Sequence, residues 1–374
     1  MRSPGAQVAA PPRRKLWLDW QRGLAVLFMV EVHVLDAWLA PGQGQGWPYA
    51  VLLMIGGLAA PGFLYMAGLS QALAEDSQER KGIAPEARRS LALRRAGWLL
   101  GVAYGFRLAE YALGGAWRRP GGWQDLLKVD ILNVIAVGLA ISALLTIGRP
   151  RRLGPWLVGL AALGVALATP PVAGALARYD AASPGGGGLP AVARALDLAA
   201  AYLYGSWPRA NFHVFNWAAF LLAGAAVAPL ARRENRPLWW LGAGAALFGI
   251  GWLADLAPDL YAHQDFWRTS PAWLAMRLGI CLGLTGLLQL VPDAAERPLR
   301  WLSTLGRQSL VGYIASVELT YGALAAPLRK SLSFRGDVLG MVAMVGVTWV
   351  VAAGWERIQA WRRRARPAAA AAGS

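Results

Sequence analysis

LDWQRGLAVLFMVEVHVLDAW, residues Leu18–Trp38, holds an arginine and a histidine in one apolar stretch with ten residues between them, Arg22 and His33. Eleven steps at about 100° per residue overshoot three full turns by only about 20°. Both side chains therefore share one face of a helix, roughly 16 Å apart along its axis. The surrounding stretch, residues 16–39, is long and apolar enough to span a bilayer. Ionisable groups at membrane depth are expensive and rarely idle. A cation near one membrane face and an imidazole near the other, on one stripe, point to chemistry that reaches across the membrane. Glu31 falls about 180° from Arg22 and is assigned no chemistry.

Composition agrees with this reading. The 374 residues are 56% hydrophobic and only 16% charged, against roughly a quarter charged in a soluble domain. Hydropathy predicts an all-α, polytopic membrane bundle of about ten transmembrane helices. They are read at 16–39, 49–74, 91–113, 128–147, 154–170, 212–231, 238–256, 272–291, 308–327 and 338–361. Residues 1–15 read as a disordered cytoplasmic tail with no cleavable signal, 16–361 as one transmembrane domain, and 362–374 as a basic, Ala-rich cytoplasmic tail. Residues 75–90 form the most hydrophilic loop. Residues 171–211 form the longest outer loop, with a Gly tract at 185–188 and an amphipathic stretch at 191–204.

The net charge of +16 raises the question of nucleic acid. The cations answer it by their placement. With the N-terminus inside, the inner segments carry most of the Lys and Arg, which is the positive-inside pattern. Both termini are then cytoplasmic, and the excess charge serves topology and anionic lipid contact. The last outer loop, with Arg329, Lys330 and Arg335, fits that pattern least well. No nucleic-acid partner is expected. The single cysteine, Cys281, excludes an internal disulfide and argues against a cysteine-built metal site. No metal is expected.

Polar groups gather where the spans meet the outer face. His33 is followed by Asp36 on nearly the same face, and a carboxylate beside an imidazole fixes its tautomer and raises its basicity. Arg107 and Glu110 end the third span. Asp130 and Asn133 open the fourth, and His213 and Asn216 the sixth. Glu318 and Tyr321 lie on the ninth, Glu318 in mid-helix. Taken singly, each is also explained as an interfacial side chain reaching for the headgroups. As a set they can line one cavity and satisfy one another. His263, in the loop after span seven, reads as solvated. On the inner side Asp19 and Arg22 are an i,i+3 pair, Arg94 and Arg95 begin the third span, and Arg307 and Ser309 begin the ninth. Guanidinium groups there suit phosphate, with topogenic arginine as the plainer alternative. No P-loop, GxGxxG or HExxH motif is present.

With these residues in hand, LDWQRGLAVLFMVEVHVLDAW resembles the first helix of the transmembrane acyltransferase superfamily, and Arg22 and His33 match the Arg-x10-His motif of its acyltransferase-3 side. PGFLYMAGLSQALA (61–74), VDILNVIAVGLAI (129–141), FHVFNWAAFLLAGAAV (212–227) and LGRQSLVGYIASVELTYG (305–322) are similar to its heparan-α-glucosaminide N-acetyltransferase-like side. The adjacent pair Arg94-Arg95 departs from the Arg-x-x-Arg often seen in the third helix of acyltransferase-3 proteins. The resemblance implies a ten- or eleven-helix bundle that takes an acyl group, acetyl above all, from cytoplasmic acyl-CoA as co-substrate. It delivers that group to a hydroxyl or amine of an extracytoplasmic sugar, glycan or glycolipid. It implies a bacterial inner membrane, a catalytic His33 and an Arg22 on the CoA side. Asp36 would orient His33, and Asp19, Arg94, Arg95, Arg307 and Ser309 would flank the donor. Asn133, Asn216 or Tyr321 would serve an oxyanion, and Arg107, Glu110, Asp130, His213 and Glu318 the acceptor. Direct transfer and an acyl-His intermediate both remain open, as does homodimerisation. The competing reading is a transporter or channel whose intramembrane charges form a path. A non-catalytic scaffold is a third.

Overall fold

A computed structural model describes residues 14–119, 122–182, 191–205, 210–232, 236–261 and 264–372. The N-terminal tail up to residue 13, the 185–188 Gly tract and His263 lie outside them. Among the described residues the chain is all-helical, with two isolated bridges, Leu39–Leu332 and Val129–Ala210, in place of any sheet. The α-helices are α1 (Leu16–Trp38), α2 (Gly46–Gly56), α3 (Ala59–Arg80), α4 (Pro85–Leu113), α5 (Ile131–Thr146), α6 (Leu153–Ala182) and α7 (Ala191–Tyr204). They continue as α8 (Val214–Ala226), α9 (Ala228–Arg232), α10 (Pro237–Asp255), α11 (Pro271–Leu290), α12 (Arg300–Arg307), α13 (Ser309–Tyr321) and α14 (Phe334–Ala372).

Six helical stretches are long and apolar enough to cross a membrane: Gly46–Arg80, Leu153–Leu176, Val214–Arg232, Pro237–Asp255, Pro271–Leu290 and Phe334–Arg364. The sequence reading counts more because it includes charged and short helices. α1 has the length, but carries Asp19, Arg22, Glu31 and Asp36. α4 is rich in arginine, α5 has 16 residues and α13 only 13. These are the helices that hold the polar constellations.

α1 is the central element and packs against α2, α3, α11, α12, α13 and α14. It threads both buried clusters. Trp17 and Trp20 join one with α3, α6, α8 and α11, while Val26 to Trp38 join the other with α4, α13 and α14. Inside a bilayer apolar packing alone gives little net attraction, so helices associate through close backbone approach and polar contacts. Both occur here. A Cβ at Gly68 would collide with the Leu221 carbonyl of α8, and one at Gly224 with the Tyr65 carbonyl of α3. Gly306 of α12 rests in the same way on the Asp19 carbonyl, and Gly23 of α1 on Leu302. A buried polar chain ties α1, α3 and α11: Gln21 donates to the Cys281 carbonyl at 2.9 Å, Thr285 donates to Gln21 at 2.9 Å, and Tyr65 meets Thr285 at 3.1 Å.

Several boundaries differ from expectation. The hydrophilic 75–90 segment is helical to Arg80 and again from Pro85, because Asp76 and Glu79 find arginines on neighbouring elements. α6 continues through Pro170 and Pro171 to Ala182. The C-terminal tail continues α14 to Ala372. The 308–327 span is α13 followed by a 3-10 turn, Ala323–Leu328. Glu318 therefore lies in the last turn of α13, not in mid-helix. The amphipathic stretch at 191–204 is α7.

The α1–α12 crossing is the tightest constraint near the inner end of α1. Gly306→Leu is expected to abolish the monodisperse peak of the detergent-purified protein on size exclusion. Gly346→Ala, with nothing within 4 Å of the new Cβ, is expected to leave it unchanged.

Candidate functional site

At the amino-terminal end of α1, three arginines gather around one buried carboxylate, and a fourth lies beside one of them. Asp19 is 5% exposed, receives Arg14 at 2.6 Å and has the Arg22 guanidinium at 4.0 Å. Arg307 is near enough to attract Asp19, and Arg95 near enough to repel Arg22. Arg22 also donates to Ser70 of α3. Arg307 is clamped by Glu356 of α14, with Nε to Oε1 at 2.9 Å and Nη2 to Oε2 at 3.1 Å, and donates to Thr304 at 2.9 Å. The Gly306–Asp19 contact brings that guanidinium to α1. Arg94 and Arg95 are exposed, and Ser309 opens α13 with no hydrogen bond among the described residues. Other arginines pair elsewhere: Asp76 holds Arg80, Arg151 and Arg232, and Glu79 holds Arg88 and Arg151. Guanidinium exceeds carboxylate in that group as it does around Arg22.

At the carboxy-terminal end of α1 the structure brings four helices together. Asp130 caps α5: its side chain accepts from the Ile131 N–H at 2.7 Å, and Asn133 accepts from the Asp130 N–H at 3.1 Å. That capping box aims the second carboxylate oxygen of Asp130 at Arg107 of α4 and the Tyr313 hydroxyl of α13, the latter at 3.4 Å. Arg107 also holds Glu110 at 2.5 Å. Glu318 lies near enough to repel Glu110. Tyr321 of α13 donates to Asp36 at 2.9 Å, and its ring stands edge-on to His33 with centroids 5.5 Å apart.

His33 and Asp36 do not hydrogen-bond each other. Asp36 takes its hydrogen bond from Tyr321, and Nδ1 of His33 is buried with no hydrogen-bond partner. Residues three apart on a helix share a face, yet both side chains meet Tyr321 of α13 and not each other. Asn133 is also committed, since Nδ2 donates to Tyr202 of α7 at 3.0 Å. Asn216 spends its amide on the Arg268 carbonyl at 2.7 Å. It adopts φ 77°, ψ −60° inside α8, the conformation of a γ-turn, which is rare and strained. His213 stacks on Tyr204 of α7 at 4.2 Å. His213 and Asn216 thus form a flanking group under the Arg268 loop, with no contact to His33. Glu31 is buried against α2 near Gly56, and both its carboxylate oxygens lack a hydrogen-bond partner.

The sequence reading missed Ser70, Glu356, Tyr313 and Tyr202. Ser70 lies in the quoted GLSQALA run and Tyr313 in VGYIASVELTYG, so their segments were in view, but nothing local marks which face a Ser or Tyr presents. Among the described residues no group of three or more His, Cys, Asp or Glu is arranged to hold a metal.

Arg107 anchors the outer cluster, with its side chain 12% exposed and that of Asp130 14%. Breaking a buried pair from one side leaves an uncompensated charge, typically about 3–5 kcal/mol. Arg107→Met is expected to lower the thermal midpoint of the purified protein sharply. Adding Asp130→Asn should recover part of that loss, because one of the two carboxylates left without Arg107 is then neutral. A double variant no more stable than the single one would mean that the Asp130–Arg107 pair is not the source.

A search of curated proteins finds no match for this chain. The profile described as "Acyltransferase domain" matches residues 15–353, nearly the whole length, and includes both Arg22 and His33. With its apolar helices the chain is an integral membrane protein, and it belongs to the acyltransferase-3 family.

Proposed function

We propose that the protein transfers an acyl group, acetyl above all, from cytoplasmic acyl-CoA to a hydroxyl or amine of an extracytoplasmic sugar, glycan or glycolipid. In this reading it sits in a bacterial inner membrane, crosses it about ten times by counting the charged helices, and has both termini inside. The observation that carries the reading is the division of α1. A cation-rich group around Arg22 marks one end and a histidine with an unpartnered, buried Nδ1 marks the other.

The chemistry follows from those two ends. Phosphates of CoA suit the arginines at the inner end, through charge-assisted and bidentate hydrogen bonds. The extended arm of the donor brings the thioester toward His33, roughly three helical turns away. The neutral imidazole nitrogen takes the proton of the acceptor O–H or N–H as the oxygen or nitrogen attacks the thioester carbonyl. The carbon–sulfur bond breaks, and the departing thiolate takes the proton back from the imidazolium to leave as the thiol. Tyr321 holds Asp36 beside the ring, and the negative charge favours the imidazolium formed in passing. Asn133 and Asn216 each spend an amide donor on a structural hydrogen bond and Tyr321 spends its hydroxyl proton on Asp36, so the geometry prefers none of the three oxyanion candidates.

The test is CoA thiol release by the full chain in proteoliposomes, with acetyl-CoA and a membrane extract as the acceptor source. His33→Ala is expected to lower turnover by about 100-fold or more, the usual size of a general-base contribution. Arg22→Ala is expected to raise the KM for acetyl-CoA about 10- to 100-fold, as for a lost hydrogen bond to a charged group. Lys in its place should rescue only in part, because it lacks the planar fork. A folded His33→Ala protein at near-wild-type turnover would remove His33 as the base, and no thiol release by the wild-type protein would put the transporter reading ahead.

A further inference from the structure

Tyr321 touches both Asp36 and His33. Its hydroxyl donates to Oδ2 of Asp36 at 2.9 Å, and its ring stands edge-on to His33 with centroids 5.5 Å apart and planes at 68°. Nδ1 of His33 is buried and meets neither donor nor acceptor, not even a carbonyl of its own helix. The residue as a whole is only partly buried, so the ring edge open to an acceptor is the one with Nε2. A base needs its lone pair on that edge, which puts the single proton of the neutral imidazole on Nδ1. There it is a buried N–H with nothing to receive it, a rarer and costlier defect than a buried acceptor without a donor. Asp36 is the carboxylate within reach, because side chains three apart on a helix have Cβ atoms about 5–6 Å from each other. It is exposed, so its carboxylate can turn without displacing a neighbour. Its backbone is pinned, with Lys330 Nζ on its own carbonyl and the Lys330 N–H on that of Ala37 at 2.9 Å.

Resting on the acyltransfer reading, we infer that the Tyr321–Asp36 hydrogen bond is a latch on the base. Closed, as in the structure, it holds Asp36 off the imidazole, and the ring proton stays on Nε2 at the open edge. Opened, it lets Asp36 turn and accept from Nδ1–H, and Nε2 then presents its lone pair. The proton leaving the acceptor O–H or N–H enters at Nε2, and the carboxylate offsets the imidazolium until the departing thiolate takes that proton. An acceptor hydroxyl that receives the Tyr321 O–H in place of Asp36 opens the latch. Asp36 thereby exchanges one hydrogen bond for another, and the base is armed only when an acceptor is present. A base that stays unarmed leaves the thioester intact although its open edge can meet water, the side reaction that such sites must suppress. Tyr321 acts through Asp36 and is a positioning residue.

The experiment reads the tautomer and then its consequence. The full chain is labelled with nitrogen-15 at its three histidines and held in detergent above the ordinary titration range of histidine. The ring nitrogen shifts report which nitrogen carries the proton, and the His33 signals are those missing from His33→Ala. Wild type without substrates is expected to show the Nε2–H form. Tyr321→Phe is expected to show the Nδ1–H form, because the freed carboxylate then takes the imidazole as its partner, and adding Asp36→Ala should restore Nε2–H. In proteoliposomes with acetyl-CoA and no acceptor, thiol release by Tyr321→Phe is expected to rise about tenfold over wild type, as for one hydrogen bond to a charged group removed. It should fall back when Asp36→Ala is added. A phenol with a merely structural role would, on removal, lower release with and without acceptor, and that result would overturn the latch. An Nδ1–H form in resting wild type would overturn it as well, even if Tyr321→Phe does not fold, and would leave the acyltransfer reading standing. No His33-dependent thiol release by wild type with membrane extract present would overturn both readings together.

Discussion

A polar side chain inside a bilayer has no water to fall back on, so it must find its partner on another helix. α1 carries polar groups along its whole length, and the architecture around it follows from where they find partners. Gln21 is met by Thr285 and the Cys281 carbonyl, Arg22 by Ser70, Asp19 by Arg14, Asp36 by Tyr321, and the Trp38 indole by the Thr320 carbonyl at 3.0 Å. These partners come from α3, α11 and α13, which are among the helices packed on α1. Small residues let those helices approach, and the polar contacts fix their register. The exceptions are the indole N–H groups of Trp17 and Trp20, the Glu31 carboxylate and Nδ1 of His33. His33 is the one set beside the outer cluster.

Charge is handled differently at the two ends. Near the amino-terminal end of α1, Arg14, Arg22, Arg95 and Arg307 have Asp19 and Glu356 between them, an excess of guanidinium. Near its carboxy-terminal end the acids outnumber the cations inside the cluster. Arg329 and Lys330, which sit awkwardly with the positive-inside pattern, have a local explanation. They close the carboxy-terminal ends of α13 and α1, where orphan carbonyls and the helix dipole both favour a cation. Backbone pairing holds that strap, with the Lys330 N–H to the Ala37 carbonyl and the Leu332 N–H to the Trp38 carbonyl, each at 2.9 Å. Lys330 takes a left-handed φ of 53° to do so.

The sequence by itself determined the class of the molecule and the axis of its site. An apolar 3.6-residue helix places Arg22 and His33 on one stripe whatever surrounds it, because their relation is intrahelical. The same holds for Arg107 with Glu110 and for the Asp130–Asn133 capping box, all local in sequence and all formed. Resemblance to the transmembrane acyltransferases rested on these segments and agrees with the family match over residues 15–353.

Only the tertiary structure decided which polar groups act together. His33 and Asp36 share a face by spacing, yet Asp36 bonds Tyr321, nearly the whole chain away, because α13 offers a phenol at that level. Asn133 and Asn216 look like free amides in sequence and are used up by Tyr202 and the Arg268 carbonyl. Glu318 moved from mid-helix to a helix end because the chain turns at Gly322. Arg307 reached Asp19 and Arg22 because Gly306 lets α12 lie on α1. Each of these depends on how close two backbones come and which rotamer the gap admits. Periodicity along one chain segment fixes angles around its own axis, and it carries no information about the distance to another helix.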